Sequence, residues 1–153
     1  MTDKLSSARK AWNMSRIRAS DTQPELRVRR LVHAAGYRFR LHVKDLPGVP
    51  DLVFPRYRLA IFVHGCFWHG HNCIDGHLPK SNERYWKGKL RRNTQRDMAA
   101  QAKLEQLGWR TTVIWECEAD NGARRLVSLL SKLRASECAD LAPHTSRERP
   151  PRR

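Results

Sequence analysis

An α/β domain, with a small mixed sheet covered by helices, is the fold class this sequence predicts, and three observations predict it. Apolar periodicity alternates along the chain as helix, three strands, helix, strand, helix. The chain has 153 residues, enough for one domain with a core of its own. A run of metal-type and aromatic residues, His64-Gly65-Cys66-Phe67-Trp68-His69-Gly70-His71-Asn72-Cys73, follows the third strand, where a loop is expected.

The first helix starts at Asp21-Thr22-Gln23-Pro24-Glu25, with Thr22 and Glu25 spaced as a capping box and Pro24 tolerated in the first turn. It is expected to run to about Ala35, with Gly36 as its C-cap. Tyr37 to Leu41 is strand-like, and Leu46-Pro47-Gly48-Val49-Pro50 is a turn. Asp51 to Phe54 and Arg58 to Val63 are short apolar runs around Pro55-Arg56-Tyr57, and read as a hairpin. Ser81 or Asn82 caps a long helix ending before Gly108. Its inward stripe is Trp86, Leu90, Asn93, Asp97, Ala100, Leu104 and Leu107, at steps of three and four. Trp109 to Trp115 alternates as a strand and leads into Glu116-Cys117; Ala123 to Leu133 is a final helix. Residues 1–20 read as a basic arm, 21–135 as the folded domain and 136–153 as a disordered tail containing Arg and Pro.

Thirty Lys and Arg face fifteen Asp and Glu, a formal net charge of +15. That excess points to a polyanion, nucleic acid before anionic membrane. It is clustered: Lys80 to Arg96 holds seven basic residues and one acid, Glu83. No apolar run approaches the roughly 20 residues that span a bilayer, and Met1 to Ser20 has no apolar signal region, so a non-membrane, cytoplasmic protein is expected. Four Cys in such a chain favour a metal over disulfides.

The spacing of Cys66, His71 and Cys73, with a distant Cys117, supplies four soft or borderline ligands, the set of a closed tetrahedral Zn²⁺ site. Cys138 is left as a spare thiol. Asp51 opens a strand beside a turn, where a carboxylate either binds a hard cation such as Mg²⁺ or caps backbone N–H groups. Asp97 lies on the inward stripe of a helix, where an unpaired carboxylate is costly. It therefore needs a cation, a donor or a histidine, and His64 and His69 make a His–Asp pair plausible. Glu25 by itself reads as a capping residue. Phe67 and Trp68 are either packing around the metal or a wedge for a base stack. Trp86 is equally a core residue of its helix or an aromatic among phosphate-binding bases, with Lys87 and Arg91 beside it.

Asn13-Met14-Ser15-Arg16-Ile17, Leu46-Pro47-Gly48-Val49-Pro50-Asp51, Ile61 through His69, Asn93-Thr94-Gln95-Arg96-Asp97, and Gly108-Trp109 through Trp115-Glu116-Cys117 together resemble the very short patch repair (Vsr) endonucleases of bacteria. The block from Ile61 to Cys73 is the most specific. The resemblance implies a compact variant of the restriction-endonuclease-like fold, and a Mg²⁺-dependent nick 5′ of the thymine in T:G mismatches left by 5-methylcytosine deamination. It implies Asp51 as the metal carboxylate, with the Val63 main-chain carbonyl also on Mg²⁺. His69 falls on the catalytic histidine, with His64 and Asp97 beside it and Glu25 as a further polar member. It implies structural Zn²⁺ on Cys66, His71, Cys73 and Cys117, and Phe67, Trp68 and Trp86 as intercalating aromatics.

In the wider nuclease superfamily the strand after the Pro-Asp pair supplies an acidic residue, a spacer and a lysine. Here it ends in Val63-His64. A histidine base takes that role in the Vsr pattern, and one or two Mg²⁺ ions both remain compatible. The expected partner is double-stranded DNA carrying a T:G mismatch, bound by a monomer, with the general mismatch-repair machinery as a further candidate. The rival readings are a non-catalytic zinc module that binds DNA, and a broader structure-selective nuclease.

Overall fold

The computed structural model describes residues 20–80 and 82–140, the last three by backbone alone. The Asn13–Ile17 segment, the basic arm up to residue 19, the Cys138 side chain and the tail from residue 141 lie outside the described residues. Among the described residues, a four-stranded sheet in the order β1-β2-β3-β4 is covered by helices on both faces. The expected small mixed sheet is present: β1 (Arg40–Leu41), β2 (Leu52–Phe54) and β3 (Leu59–His64) run antiparallel in turn, and β4 (Arg110–Trp115) joins β3 in parallel.

Helix α1 (Gln23–Ala34) starts where expected, but its capping box is rearranged. The Thr22 hydroxyl donates to Glu25 Oε1 at 2.8 Å, and Glu25 Oε2 accepts the Asp21 N–H at 3.0 Å. Glu25 is buried and paired with Arg29, so it does more than cap. At the other end Gly36 N–H donates to His33 O and Tyr37 N–H to Val32 O, with Gly36 at φ +89°. This is a Schellman stop. It uses up Tyr37, whose ring packs into the core, and the first strand shrinks to Arg40–Leu41, where β2 supplies partners.

β3 is buried along its whole length. Its odd positions, Leu59, Ile61 and Val63, join Leu52, Phe54 and Ile114 under α1 and α3 (Ala119–Asp140). Its even positions Ala60 and Phe62 face α2 (Glu83–Gln106) and Leu104. A strand covered on both faces is what a parallel crossover through a helix requires. The 3₁₀ turn Pro55–Tyr57 closes the β2–β3 hairpin, with Arg58 left-handed at φ +46°.

The α2 stripe is inward from Leu90 to Leu104 but not at Leu107, which is 55% exposed at the C-cap. The chain turns away at Gly108, so the next stripe position points to water. Asn82 is the N-cap, through a left-handed backbone (φ +58°) rather than a side-chain bond. Helix α3 begins at Ala119, four residues before the expected start, and passes the expected boundary at Ala135 to reach Asp140. Its apolar face (Ala123, Leu126, Leu130) keeps it on α1 and β4.

Gly48 has φ +75°, and a Cβ there would lie 2.7 Å from Ala100 Cβ on α2. Gly36 has equal backbone need but open space around it. Gly36→Ala is therefore expected to cost about 1–2 kcal/mol from the left-handed backbone alone. Gly48→Ala should cost a further ~1–3 kcal/mol from overpacking. Urea unfolding of both variants checks this; equal losses would mean that the turn yields freely against α2.

Candidate active site and metal centre

The alternation of β3 places His64 on the α2 side, at the strand end nearest the loop. The ring of His64 is buried and stacks on His69, with centroids 3.8 Å apart and planes 8° from parallel. His69 Nδ1 lies 2.5 Å from Asp97 Oδ2. The His–Asp pair expected from the helical stripe is therefore formed by His69, with His64 behind it. A carboxylate acceptor puts the His69 proton on Nδ1 and leaves Nε2 with a free lone pair. Burial, reinforced by the nearby His69, pushes His64 down to about 4, so that ring is neutral near pH 7.

Asp51 sits just before β2, pairing its N–H with Ile61 O at 2.9 Å. Its Oδ2 accepts the Val63 N–H at 2.7 Å, which ties the carboxylate across to β3. Burial drives Asp51 up from the usual carboxylate range to about 6, helped by the charge of Glu25 and opposed chiefly by the Val63 N–H. Asp51, Glu25, His64, His69 and Asp97 all line one cleft of about 1330 Å³. A desolvated carboxylate next to a second carboxylate is a fitting seat for a hard cation.

The loop after β3 forms the second centre. One ligand atom from each of Cys66, His71, Cys73 and Cys117 lies within 4.8 Å of every other. Burial pushes the Cys66 thiol up to about 12, a penalty that a bound Zn²⁺ would reverse by holding the thiolate. Three thiols and an imidazole converging from a loop and the end of β4 fit a closed structural site. The His71 ring lies flat on Trp115, with centroids at 4.3 Å, and Trp115 meets His64 edge-on at 5.5 Å. One indole thus touches both centres.

Phe67, Trp68 and Trp86 pack edge-to-face on each other, at centroid distances of 5.0, 5.1 and 6.1 Å, and all three are half-buried. Lys89 Nζ stands 5.1 Å over Trp68 and 5.4 Å over Trp86. α2 holds this loop from behind, with Asn93 Nδ2 donating to Trp68 O at 2.9 Å. Lys87 is exposed and pairs with Glu83 at 2.7 Å, and Arg91 is exposed on the same helix. A groove of about 570 Å³ continues along α2 past Tyr85, Lys89, Arg92 and Arg96.

Sequence reasoning missed four residues here. Lys89 was findable, since it follows Tyr85 and Trp86 at helical steps of four and three. Trp115 reads from the sequence as a strand end within a family-like segment, with no site role of its own. Arg29 and His42 carried no local signal: Arg29 Nη2 contacts both Glu25 Oε2 and His42 Nε2 at 2.8 Å, joining α1 to the loop after β1.

Residues 2–75 match the family model described as DNA mismatch endonuclease Vsr. The chain is 55% identical over 124 residues to a type II nicking enzyme of Xanthomonas oryzae pv. oryzae, spanning 80% of this chain and 91% of the relative. It is 40% identical over 123 residues to a type II nicking enzyme of Neisseria meningitidis serogroup A, spanning 80% and 88%. It is 39% identical over 117 residues to the DNA mismatch endonuclease Vsr of Escherichia coli K12, spanning 76% and 75%.

Two outcomes are expected of the purified protein. Elemental analysis should give about one Zn²⁺ per chain in wild type and in Cys138→Ser, as one closed four-ligand site requires. Cys117→Ser should lose the metal, and chelation should unfold the domain because binding and folding are coupled; full zinc content in Cys117→Ser would remove it from the ligand set. The second outcome concerns Asp51. Its folded pKa is raised, so ionising it costs folded-state stability, a cost that grows with pH and is complete above about 6. In buffer free of Mg²⁺, Asp51→Asn should be more stable than wild type by about 2–3 kcal/mol at most near pH 7. That gain should shrink towards about pH 5. A pH-independent difference in chemical denaturation would refute the desolvated carboxylate.

Proposed function

The chain belongs to the Vsr family of DNA mismatch endonucleases, and from that premise we propose that it nicks one strand of duplex DNA 5′ of the thymine in a T:G mismatch, using Mg²⁺. It is an endodeoxyribonuclease. The observation that carries the finer reading is the convergence of Asp51, Glu25, His64, His69 and Asp97 in one cleft beside an aromatic cluster. A zinc module that only bound DNA would have no use for desolvated carboxylates.

Asp51 and the Val63 main-chain carbonyl are the groups that would hold Mg²⁺. The ion would supply charge neutralisation at the phosphoryl and leaving oxygens. The rest of the chemistry falls to the chain's own side chains. His69 Nε2 accepts the proton of the attacking water, and Asp97 holds the ring in the tautomer that allows this and stabilises the imidazolium formed. His64 is neutral and stacked on His69, so it fixes the plane of that ring without competing for its charge. The Val63 N–H orients Asp51.

Recognition on this reading falls to Phe67, Trp68 and Trp86. A T:G pair stacks less well than a matched pair, so opening the duplex there costs less. The rigid aromatic loop converts that difference into selectivity. Lys87 and Arg91 add sequence-independent phosphate contacts, and Lys89 lies against the aromatics themselves. The sheet-and-helix arrangement is consistent with a compact restriction-endonuclease-like fold. The enzyme would work as a monomer on bacterial chromosomal DNA, alongside the general mismatch-repair machinery. Lesions left by 5-methylcytosine deamination are its expected substrates.

A nicking assay on matched and T:G duplexes, with and without Mg²⁺, tests the proposal. Wild type should nick only the mismatched duplex, and only with Mg²⁺. Asp51→Asn should bind that duplex and leave it intact. His69→Ala should lose about 10²–10⁴-fold in rate, as removal of a general base does. Trp68→Ala should lose preference for T:G while retaining zinc. Near wild-type nicking by Asp51→Asn would discard the mechanism, and equal nicking of both duplexes by wild type would discard the substrate.

A further inference from the structure

Beside Asp51 lies a second charged cluster that the mechanism does not use. Atoms of Asp21, Glu25 and His42 lie within 4.8 Å of one another, the layout of a cation site, yet the cation among them is a side chain. Arg29 Nη1 reaches Asp21 Oδ1 at 2.5 Å, and its Nη2 reaches Glu25 Oε2 and His42 Nε2, both at 2.8 Å. A guanidinium only donates, so His42 Nε2 must accept. A neutral His42 then carries its proton on Nδ1, and Nδ1 stands 3.8 Å from Asp51 Oδ1. The other oxygen of Asp51 is already taken by the Val63 N–H.

The backbone supports this aim. His42 has φ +44°, and Val49, at the other end of the same connection, has φ +50°. A left-handed valine is an outlier, and such strain gathers where surrounding contacts over-determine a site. Asp21, His42 and Val49, three of the five non-glycine residues with positive φ among the described residues, line the catalytic cleft.

We propose that Arg29 and His42 are positioning residues for the Asp51 carboxylate: Arg29 neutralises Glu25 and fixes His42 as the Nδ1–H tautomer, whose N–H dipole faces Asp51 Oδ1. Two carboxylates then share the cleft without driving each other out of position. The inference rests on Asp51 as the metal carboxylate. Arg suits the task better than Lys because its rigid fork meets several acceptors at once.

The test uses the full zinc-loaded chain without DNA, and Mn²⁺ as the probe. Long-range nitrogen–proton NMR correlation should show the His42 ring neutral with its proton on Nδ1; a proton on Nε2 instead overturns the proposal in the wild-type protein itself. Mn²⁺ binding, followed by paramagnetic resonance, should weaken about tenfold in His42→Ala, the lower end of what loss of an outer partner costs a metal site. His42→Gln should restore it, since its amide oxygen accepts from Arg29 and its NH₂ faces Asp51. Asp51→Asn should abolish it. Unchanged affinity in His42→Ala, with binding lost in Asp51→Asn, overturns the positioning role and leaves the metal assignment standing. Full affinity in Asp51→Asn overturns the metal assignment and the positioning role with it.

Discussion

Burial of β3 on both faces is the constraint on which the rest of the molecule depends. A strand covered on one side by α1 and α3 and on the other by α2 has no free choice of register, because a slip of one residue would exchange its two faces. Leu59, Ile61 and Val63 fill one core, while Ala60 and Phe62 fill the other. His64 is the next position on the α2 face, and is buried there by the same alternation. The strand then feeds straight into Gly65 and Cys66. The placement of His64 and of the first member of the Cys/His cluster is thus inherited from apolar packing that has no chemistry in it.

The loop beyond β3 must carry His69, His71, Phe67 and Trp68 without a strand ladder to hold them. Three kinds of contact replace the ladder. The Cys66–Cys73 end is closed by the Cys/His centre, whose last member, Cys117, comes from the end of β4. α2 grips the middle through Asn93 on Trp68 O and Asp97 on His69. Trp115 lies flat on His71 and edge-on to His64, so a shift of either centre is felt by the other through one rigid ring. Aromatic pairs of this kind contribute about 0.5–1.5 kcal/mol beyond their buried area. That is enough to bias a loop between nearby positions.

The features legible in the sequence are those set by neighbours along the chain. The hairpin of β2 and β3, the strand β4 and most of the α2 stripe follow from local periodicity, and the Cys/His set from ligand chemistry at short spacing. The misreadings have a common physical source. Tyr37 belongs to a strand-like run in the sequence, but it is spent on closing the Schellman stop of α1. Leu107 continues the helical period past the point where the chain turns at Gly108. Glu25 reads as complete in its cap, yet the oxygen that takes the Asp21 N–H also forms a buried ion pair with Arg29. His42 is the clearest case: the β1–β2 register, which pairs Leu41 with Leu52, brings Asp51 opposite it, but Arg29 meets it only after α1 packs on the sheet, and nothing near residue 42 announces that.

The charge distribution joins these parts. The chain carries an excess of fifteen positive charges, yet Asp21, Glu25, Asp51 and Asp97 all line one cleft. On a surface that attracts a polyanion, a negative pocket repels the phosphate that must enter it unless something of opposite sign intervenes. Arg29 supplies that charge to Asp21 and Glu25, and Asp97 accepts the His69 Nδ1–H, each within hydrogen-bond distance. Asp51 alone is left with a main-chain N–H and a distant imidazole, and it is the carboxyl that burial pushes up to about 6. The acid whose charge burial disfavours is therefore the one proposed to take the metal. A divalent cation there would remove the desolvation cost of Asp51 and turn the pocket from repelling phosphate to holding it, so that ion and DNA backbone would bind in mutual support.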